Sequence, residues 1–407
     1  VNILYLHQHF TLRSGSAGTR SYEFARLLQQ KGHQITILCG WADGSGLPIS
    51  TRRIHRWEHD GLTIVQLGVP YRQVMPFWRR IWAFIAFMLL ASWVAMRERR
   101  SDVILATSTP LTIAVPAMIA ALLRRRPFVF EARDLWPDVP IGLGALRNRW
   151  VILLARGLER LTYRRAAHII TASPGMQQGI VARGVNPVKI TVIPNSCDLD
   201  LFDVPAARGE AFIAAHPQLK DRRLVVYTGA LGLVNGLDYL VKVAHHARDL
   251  DAQIGFLLVG KGREKDGLIA LAQELGVLDH NVWFMDPVPR QEVPDVLSAC
   301  TVATSTVQDN PVLWHNSANK FFDALAAGRP MVINHEGWLA DLLRESGAGL
   351  VLPVRDPVLG ARLLVEFIQS EDRLEMARRS ARDLARTRFD RKRLVDQLER
   401  VLLETRK

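Results

Sequence analysis

Cysteine is scarce in this chain. Its 407 residues hold three, Cys39, Cys197 and Cys300, far apart and without CxxC or Cys/His spacing. Neither a disulfide framework nor a zinc site is suggested, and a reducing compartment is expected. Acidic side chains are also in deficit: 52 Lys and Arg stand against 40 Asp and Glu, a net charge of +12 that calls for an anionic partner. Nucleic acid is not the expected one, because RNP, KH and zinc-finger patterns are missing. No positively charged leader with a short apolar stretch and cleavage site opens the chain, so an intracellular protein is expected. The first glycine loop, "RSGSAGTR", lacks both the GxGxxG spacing and the P-loop ending in Lys-Ser/Thr.

What is present is alternation. Strand-like runs "NILYL", "QITILC", "DVILATS", "RPFVFEA" and "HIITAS" are separated by helical stretches, and a second series starts at "RLVVYTG" and continues through "IGFLLVG", "NVWFMD", "ACTVATST", "RPMVINH" and "AGLVLP". A repeated βα pattern predicts mostly parallel sheets covered by helices, and 407 residues exceed what one core usually serves. Two α/β domains are expected, divided between residues 192 and 223, where Pro, Asp and small residues cluster. The loop "RSGSAGTR" then joins a first strand to a first helix, where folds of this class bind ligands.

One stretch departs from the pattern. Residues 81–96 carry no charge, yet these 16 residues fall short of the roughly 20 that span a bilayer. A buried crossover helix is one reading. Arginines at both ends and three tryptophans, Trp78, Trp82 and Trp93, support a second, a face resting on an anionic membrane with Arg79, Arg80, Trp82, Arg97, Arg99 and Arg100 in contact. The two are compatible.

The segment "NKFFDALAAGRP" at residues 319–330 reads as a helix stopped by Gly and followed by a strand. Together with "FEARDLWPD", "ITASPGMQQGIVARGVNPVKITVIPNSCDLDLF", "VVYTGALGLVNGLDYLV", "FLLVGKGREK" and "VWFMDPVPRQEVPDVLSACTVAT", it resembles the retaining family 4 glycosyltransferases of the GT-B fold. The resemblance is nearest to the branch that builds bacterial O-antigen, capsule and exopolysaccharide. It implies two Rossmann-like domains facing across a cleft: an acceptor domain at 1–198, a linker at 199–222, a nucleotide-sugar domain at 223–380, and a terminal helix at 381–407 returning to the first domain. It also implies a nucleotide-sugar donor, a UDP-sugar, with neither metal nor other cofactor.

Departure of a nucleoside diphosphate develops negative charge on the leaving oxygen, so cations and N–H groups around the diphosphate are the chemical requirement. By the resemblance, Gly15, Ser16, Gly18 and Thr19 approach the diphosphate, with Gly229, Asn235, Lys261, Arg263, Asn319, Lys320 and Asp323 holding the donor. The family's basic pair is replaced here by Ala230 and Asn235, so replacement cations are sought in Lys320 first, then Lys261, Arg263 and Arg133. The two family glutamates become His315 and Asp323. Asp323 keeps a carboxylate for ribose hydroxyls, and His315 is open to a sugar hydroxyl. In the first domain Arg133, Asp134 and Glu131 end a strand; Asp134 or Glu131 is expected to orient an acceptor hydroxyl, Arg133 to meet phosphate, and His7 and His9 to line the cleft. Arg133, Asp134, Lys320 and His315 are the catalytic candidates.

The expected protein is a glycosyltransferase on the inner face of the cell membrane, acting on a lipid-linked or polysaccharide acceptor. An epimerase or hydrolase of the same fold, and a donor-binding scaffold without catalysis, are the alternatives.

Overall fold

Each β-branched run becomes a strand, and each amphipathic stretch between runs becomes a helix laid back on the sheet. The computed structural model describes residues 1–15, 18–50, 52–71 and 75–406. Two units separate: Val1–Pro194 joined by Lys392–Lys407, and Asn195–Arg391.

The first unit contains β1 (Asn2–Leu6), α1 (Arg20–Gln30), β2 (Gln34–Ala42), β3 (Ile54–His59), β4 (Leu62–Tyr71), α2 (Phe77–Arg97), β5 (Val103–Thr107), α3 (Ala114–Arg124), β6 (Phe128–Ala132), α4 (Asp138–Gly142), α5 (Arg149–Arg165), β7 (His168–Thr171), α6 (Pro174–Val181) and β8 (Ile190–Val192). The strand order is β3-β4-β2-β1-β5-β6-β7-β8, parallel except for the β3–β4 hairpin. Strands buried on both faces explain their near-continuous apolar sequences. One face packs under α2, α3, α5 and α6 through Leu6, Phe87, Ala117, Phe130, Tyr163 and Met176. The other packs under α1 and the terminal helix through Tyr5, Phe24, Ile37, Leu394 and Leu398.

The second unit contains α7 (Leu199–Phe202), α8 (Ala206–Ala215), β9 (Arg223–Thr228), α9 (Leu237–Leu250), β10 (Ile254–Val259), α10 (Lys265–Glu274), β11 (Val282–Met285), α11 (Val293–Ala299), β12 (Val302–Ser305), α12 (Asn319–Ala326), β13 (Met331–Ile333), α13 (Trp338–Ser346), β14 (Gly349–Val351), α14 (Pro357–Gln369) and α15 (Glu371–Thr387), before α16 (Arg391–Arg406) re-enters the first unit. Its sheet is all parallel, in the order β11-β10-β9-β12-β13-β14.

Two boundaries differ from expectation. Residues 199–222 are no linker: Phe212 and Ile213 of α8 pack on the core of Val226, Leu297 and Phe321, and Arg208 pairs with Asp295. Polar and Pro-rich composition had concealed a folded segment. Residues 381–391 also stay with the second unit, since Ala381, Ala385 and Phe389 belong to that core. The return to the first unit starts at Lys392.

The uncharged stretch 81–96 extends into a longer helix than its composition implied. Of α2, the 20 residues Trp78–Arg97 are long and apolar enough to cross a membrane by length and composition, and 33% of that window is buried. Ala83, Phe87, Ala91 and Ala95 face the sheet, while Trp78, Ile81, Trp82, Leu89 and Trp93 face outward. Core packing and an apolar outer face coexist on one helix.

Candidate functional site

In an open parallel sheet the ligand position is the carboxyl end of the strands where the chain order reverses. In the second unit that point lies between β9 and β12, from which the order of successive strands proceeds to opposite edges of the sheet. The loop after β9, residues 229–236, and the start of α12 converge there.

Lys320, in the first turn of α12, reaches that loop. Its ammonium lies 2.6 Å from the Tyr227 hydroxyl and 3.3 Å from Asn235 Oδ1, and 3.9 Å from the centre of the Tyr227 ring. Tyr227 in turn donates to the Ala230 carbonyl at 2.8 Å, as does Asn235 Nδ2 at 2.9 Å. The Asn235 carbonyl accepts from Thr306 at 2.7 Å. Lys320 is a candidate from the sequence; Tyr227, the residue its ammonium meets, was not among the candidates. Burial lowers the Lys320 pKa to about 7, because the ammonium is desolvated.

Glycine at 229 is favoured by its backbone and by the closeness of this lysine. Its φ of +141° disfavours any side chain, and a Cβ would lie 3.1 Å from Lys320 Cε. Gly260 and Gly262 let the loop after β10 run directly against residues 229–231, where a Cβ on either would collide with backbone. Lys261 and Arg263, on that same loop, have exposed side chains, and Lys261 contributes its carbonyl to Leu231 N at 2.9 Å.

Asn319 is the first residue of α12, and no side chain caps that helix at Ala318. Its leading N–H groups are the type of donors that phosphate oxygens accept from. Asp323, one turn on, is buried and held by Arg290 through two hydrogen bonds of 2.6 Å, with the guanidinium 4.7 Å from the centre of the Phe202 ring. The carboxylate expected to stand open for ribose hydroxyls therefore already accepts on both oxygens, leaving one lone pair on each. Arg290→Met is expected to strand this carboxylate and lower the stability of the second unit by about 1–3 kcal/mol. Urea unfolding of the whole chain, with hydrogen exchange resolving the two units, measures it. His315 ends the 3-10 turn Pro311–His315, and burial lowers its pKa, so the ring is neutral at pH 7.

In the first unit the order reverses between β1 and β5. His7 and His9 follow β1, Thr109 follows β5, and Arg133 and Asp134 follow β6. The Asp134 carboxylate accepts from Thr109 at 3.2 Å, and burial raises its pKa. The Arg133 backbone donates to Ser108 Oγ at 3.0 Å. His7 is buried, and burial followed by the Arg133 charge holds its pKa well below normal. Its Nδ1 meets no hydrogen-bond partner among the described residues. His9 is lowered to about 4 by burial and packs against Tyr71 and Phe84, 4.7 and 6.1 Å between ring centres.

Two expectations change here. Glu131 is buried beneath the strand end rather than facing an acceptor: it pairs with Arg20 at 2.9 Å and accepts from Thr107 at 2.6 Å. Burial pushes its carboxyl up, but the Arg20 and Arg133 charges and the Thr107 hydroxyl outweigh this and hold it below the usual carboxylate value. Gly15 also has a packing reason. A Cβ there would lie 2.5 Å from Thr11 Cγ2 and 2.6 Å from the Gly44 carbonyl, so a valine at 15 would displace the loop itself. Gly18 and Thr19 precede α1, whose N-cap Thr19 makes no side-chain capping bond. Ser16 lies outside the described residues.

Of the residues expected at a membrane, Trp82 is exposed, as are Arg79, Arg99 and Arg100. Arg79 lies 5.2 Å from the Trp78 ring centre and Arg97 3.7 Å from that of Trp93.

Comparison with known proteins adds three kinds of likeness. Residues 15–196 match the glycosyl transferase 4-like domain, and residues 222–370 match the glycosyl transferases group 1 domain. The chain is 24% identical over 254 residues to the "Putative colanic acid biosynthesis glycosyl transferase WcaI" of Escherichia coli K12, covering 60% of each. It is 26% identical over 202 residues to the 2-deoxystreptamine glucosyltransferase of Streptomyces kanamyceticus, covering 48% of this chain and 46% of that one. The matches thus span between 46% and 60% of these relatives' lengths. Among solved structures, Anabaena HepE in complex with UDP and glucose superimposes with a TM-score of 0.75 at 17% identity over 99% of both chains. That likeness shows a shared fold.

Proposed function

The chain belongs to the family 4 glycosyltransferases, and on that premise we propose that it moves a sugar from a UDP-sugar donor to a lipid-linked or polysaccharide acceptor in surface polysaccharide synthesis, with retention of anomeric configuration. Its fold is GT-B, with two Rossmann-like units and a terminal helix on the first.

The observation that carries this reading is the Lys320 ammonium standing over the glycine loop at the β9/β12 reversal, 3.3 Å from Asn235. Asn235 and Ala230 occupy loop positions where the family's cations belong. Lys320 delivers a cation to the same loop from another helix. The diphosphate then lies against Lys320, the residue 229–236 loop and the first turn of α12, so that negative charge arising on the leaving oxygen meets a cation and backbone N–H groups already in place. Asp323, fixed by Arg290, offers its remaining lone pairs to ribose hydroxyls, and His315 is a neutral hydrogen-bonding group for the transferred sugar. On the acceptor side, Asp134 orients a hydroxyl and Arg133 meets an acceptor phosphate. No side chain is assigned as a nucleophile.

The test is turnover of a labelled nucleotide-sugar panel with and without a polyprenyl-diphosphate-linked saccharide. Transfer that depends on the acceptor supports the reading. Donor consumption without acceptor identifies a hydrolase or epimerase, and binding without turnover identifies a non-catalytic donor-binding protein.

A lipid-linked acceptor requires association with the inner membrane face from the cytoplasm, and the basic ends of α2 support it. Each arginine near an anionic surface contributes about 1 kcal/mol, weakened by salt. Wild type is expected to pellet with phosphatidylglycerol vesicles at low salt. Changing Arg79, Arg80, Arg97, Arg99 and Arg100 to Gln is expected to remove that salt-sensitive binding and leave donor binding intact. Pelleting equal to wild type would count against α2.

A further inference from the structure

The helical layer over one face of the first sheet is apolar on its outside as well as its inside. α3 packs between α2 and α5 in this layer. In α5, Glu159, Thr162 and Tyr163 are the buried residues, and the helix starts with Trp150, Leu153 and Leu154 at 62%, 60% and 74% exposure. Residues 150, 153, 154, 157 and 161 recur at helical spacing, so Trp150, Leu153, Leu154 and Leu161 form one outward stripe. Gly157 lies between them, where an added Cβ would meet nothing within 4 Å. A helix that served only its own core would turn polar groups outward.

The exposed charges carried by α5 itself have one sign, and Asp138 of α4 pairs with Arg156 at 4.0 Å. Residues 147–165 carry Arg147, Arg149, Arg156, Arg160, Arg164 and Arg165. The acid among them, Glu159, is buried and paired with Arg183 at 3.2 Å. On the far side of α3, α2 repeats the arrangement with outward Trp78, Trp82, Leu89 and Trp93, and α3 ends in exposed Leu122 and Leu123 before the arginines 124–126. Tryptophan and leucine rimmed by arginine suit the boundary between acyl chains and anionic headgroups. A twofold pairing of this face with a second copy would instead set arginine against arginine.

We infer that the α5 stripe of Trp150, Leu153, Leu154 and Leu161 inserts into the acyl boundary of an anionic bilayer, as an apolar anchor additional to α2, whose arginines supply the electrostatic contact. The inference rests on the membrane-associated reading given above, and it changes its character. Electrostatic contact alone dissolves in salt, whereas buried Trp and Leu do not. With α2 and α5 both seated, the α2–α3–α5 layer faces the lipid, which fixes how the first sheet is presented to a lipid-linked acceptor.

The experiment compares the full chain with the triple variant Trp150→Ser, Leu153→Ser, Leu154→Ser by sedimentation on phosphatidylglycerol/phosphatidylcholine vesicles, at low and high salt. Circular dichroism and melting serve as controls for folding. Wild type is expected to keep a salt-resistant bound fraction and to show a blue shift in tryptophan emission. The triple variant is expected to fold normally, with partitioning reduced about tenfold or more at high salt. Equal salt-resistant binding by the folded triple variant overturns the inference. So does a wild-type dimer, seen by light scattering, that the variant dissolves without any vesicle binding. If the α2 arginine variant binds as wild type and the triple variant does not, the electrostatic reading of α2 fails and the α5 anchor stands.

Discussion

Lys320→Ala is expected to weaken UDP binding about tenfold or more, since a charge-assisted hydrogen bond contributes roughly 1.5–3 kcal/mol. The larger signature is in pH. In the free protein burial lowers this amine to about 7, whereas a diphosphate beside it favours the ammonium and raises its pKa. Binding therefore takes up a proton between those two values, and affinity falls as pH rises above about 7. Lys320→Ala should bind weakly at every pH with that slope gone, and Lys320→Arg should keep affinity while flattening the slope. Calorimetry from pH 6 to 9, in buffers of different ionisation enthalpy, reads both the affinity and the proton count. An alanine variant with wild-type affinity and slope would place the diphosphate elsewhere. Tyr227→Phe separates aim from charge: it removes the hydroxyl 2.6 Å from the ammonium and leaves the cation on the loop.

Glu131→Gln is expected to destabilise the first unit by about 3–5 kcal/mol, the usual result of leaving one member of a buried ion pair without its counter-charge. Arg20 would retain its hydrogen bonds to the Ile193 and Pro194 carbonyls, where the chain leaves the unit, but with an uncompensated buried guanidinium. The sign of the pH effect follows from the native carboxyl lying below its ordinary 4.5. The contribution is complete above that ordinary value and is lost as pH falls through the lower native one. Hydrogen exchange localised to β1, β5 and β6 should show the loss at pH 7 and its disappearance in acid. Equal protection in the two proteins at pH 7 would mean the pair is not a structural tie.

The alternation of strands and helices was legible because parallel strands buried on both faces leave short apolar runs, which their length and bounding turn residues separate from buried helix segments. The helix that carries Lys320 was legible because it belongs to a contiguous segment with a helix start and stop. The partners of its Lys320 and Asp323 were not. Tyr227 is 93 residues away and Arg290 is 33 residues from Asp323, so neither contact leaves a local trace. Position at a strand end also says nothing about depth. Glu131 and Asp134 are three residues apart, and one became the buried partner of Arg20 while the other met Thr109. The "RSGSAGTR" loop illustrates a related ambiguity, since glycine admits a phosphate or a neighbouring backbone equally well, and at Gly15 the neighbour is Gly44. Composition misled at 199–222, where scattered apolar side chains, Phe202 and Leu219 in the core and Leu199, Leu201, Phe212 and Ile213 against it, hold an otherwise polar segment in place.

The return of the chain to the first unit at Lys392 has a consequence for synthesis. The sheet face that α16 covers with Leu394, Val395, Leu398, Val401 and Leu402 is encoded almost entirely before residue 194, and its cover follows only after the second unit. At ribosomal speeds of about 5–20 residues per second, the intervening stretch leaves that face waiting on the order of ten seconds or more. The second unit is contiguous and has all its parts as soon as Arg391 emerges. Completion thus runs against the order of the sequence, and during that interval the nascent first unit presents an uncovered apolar strip.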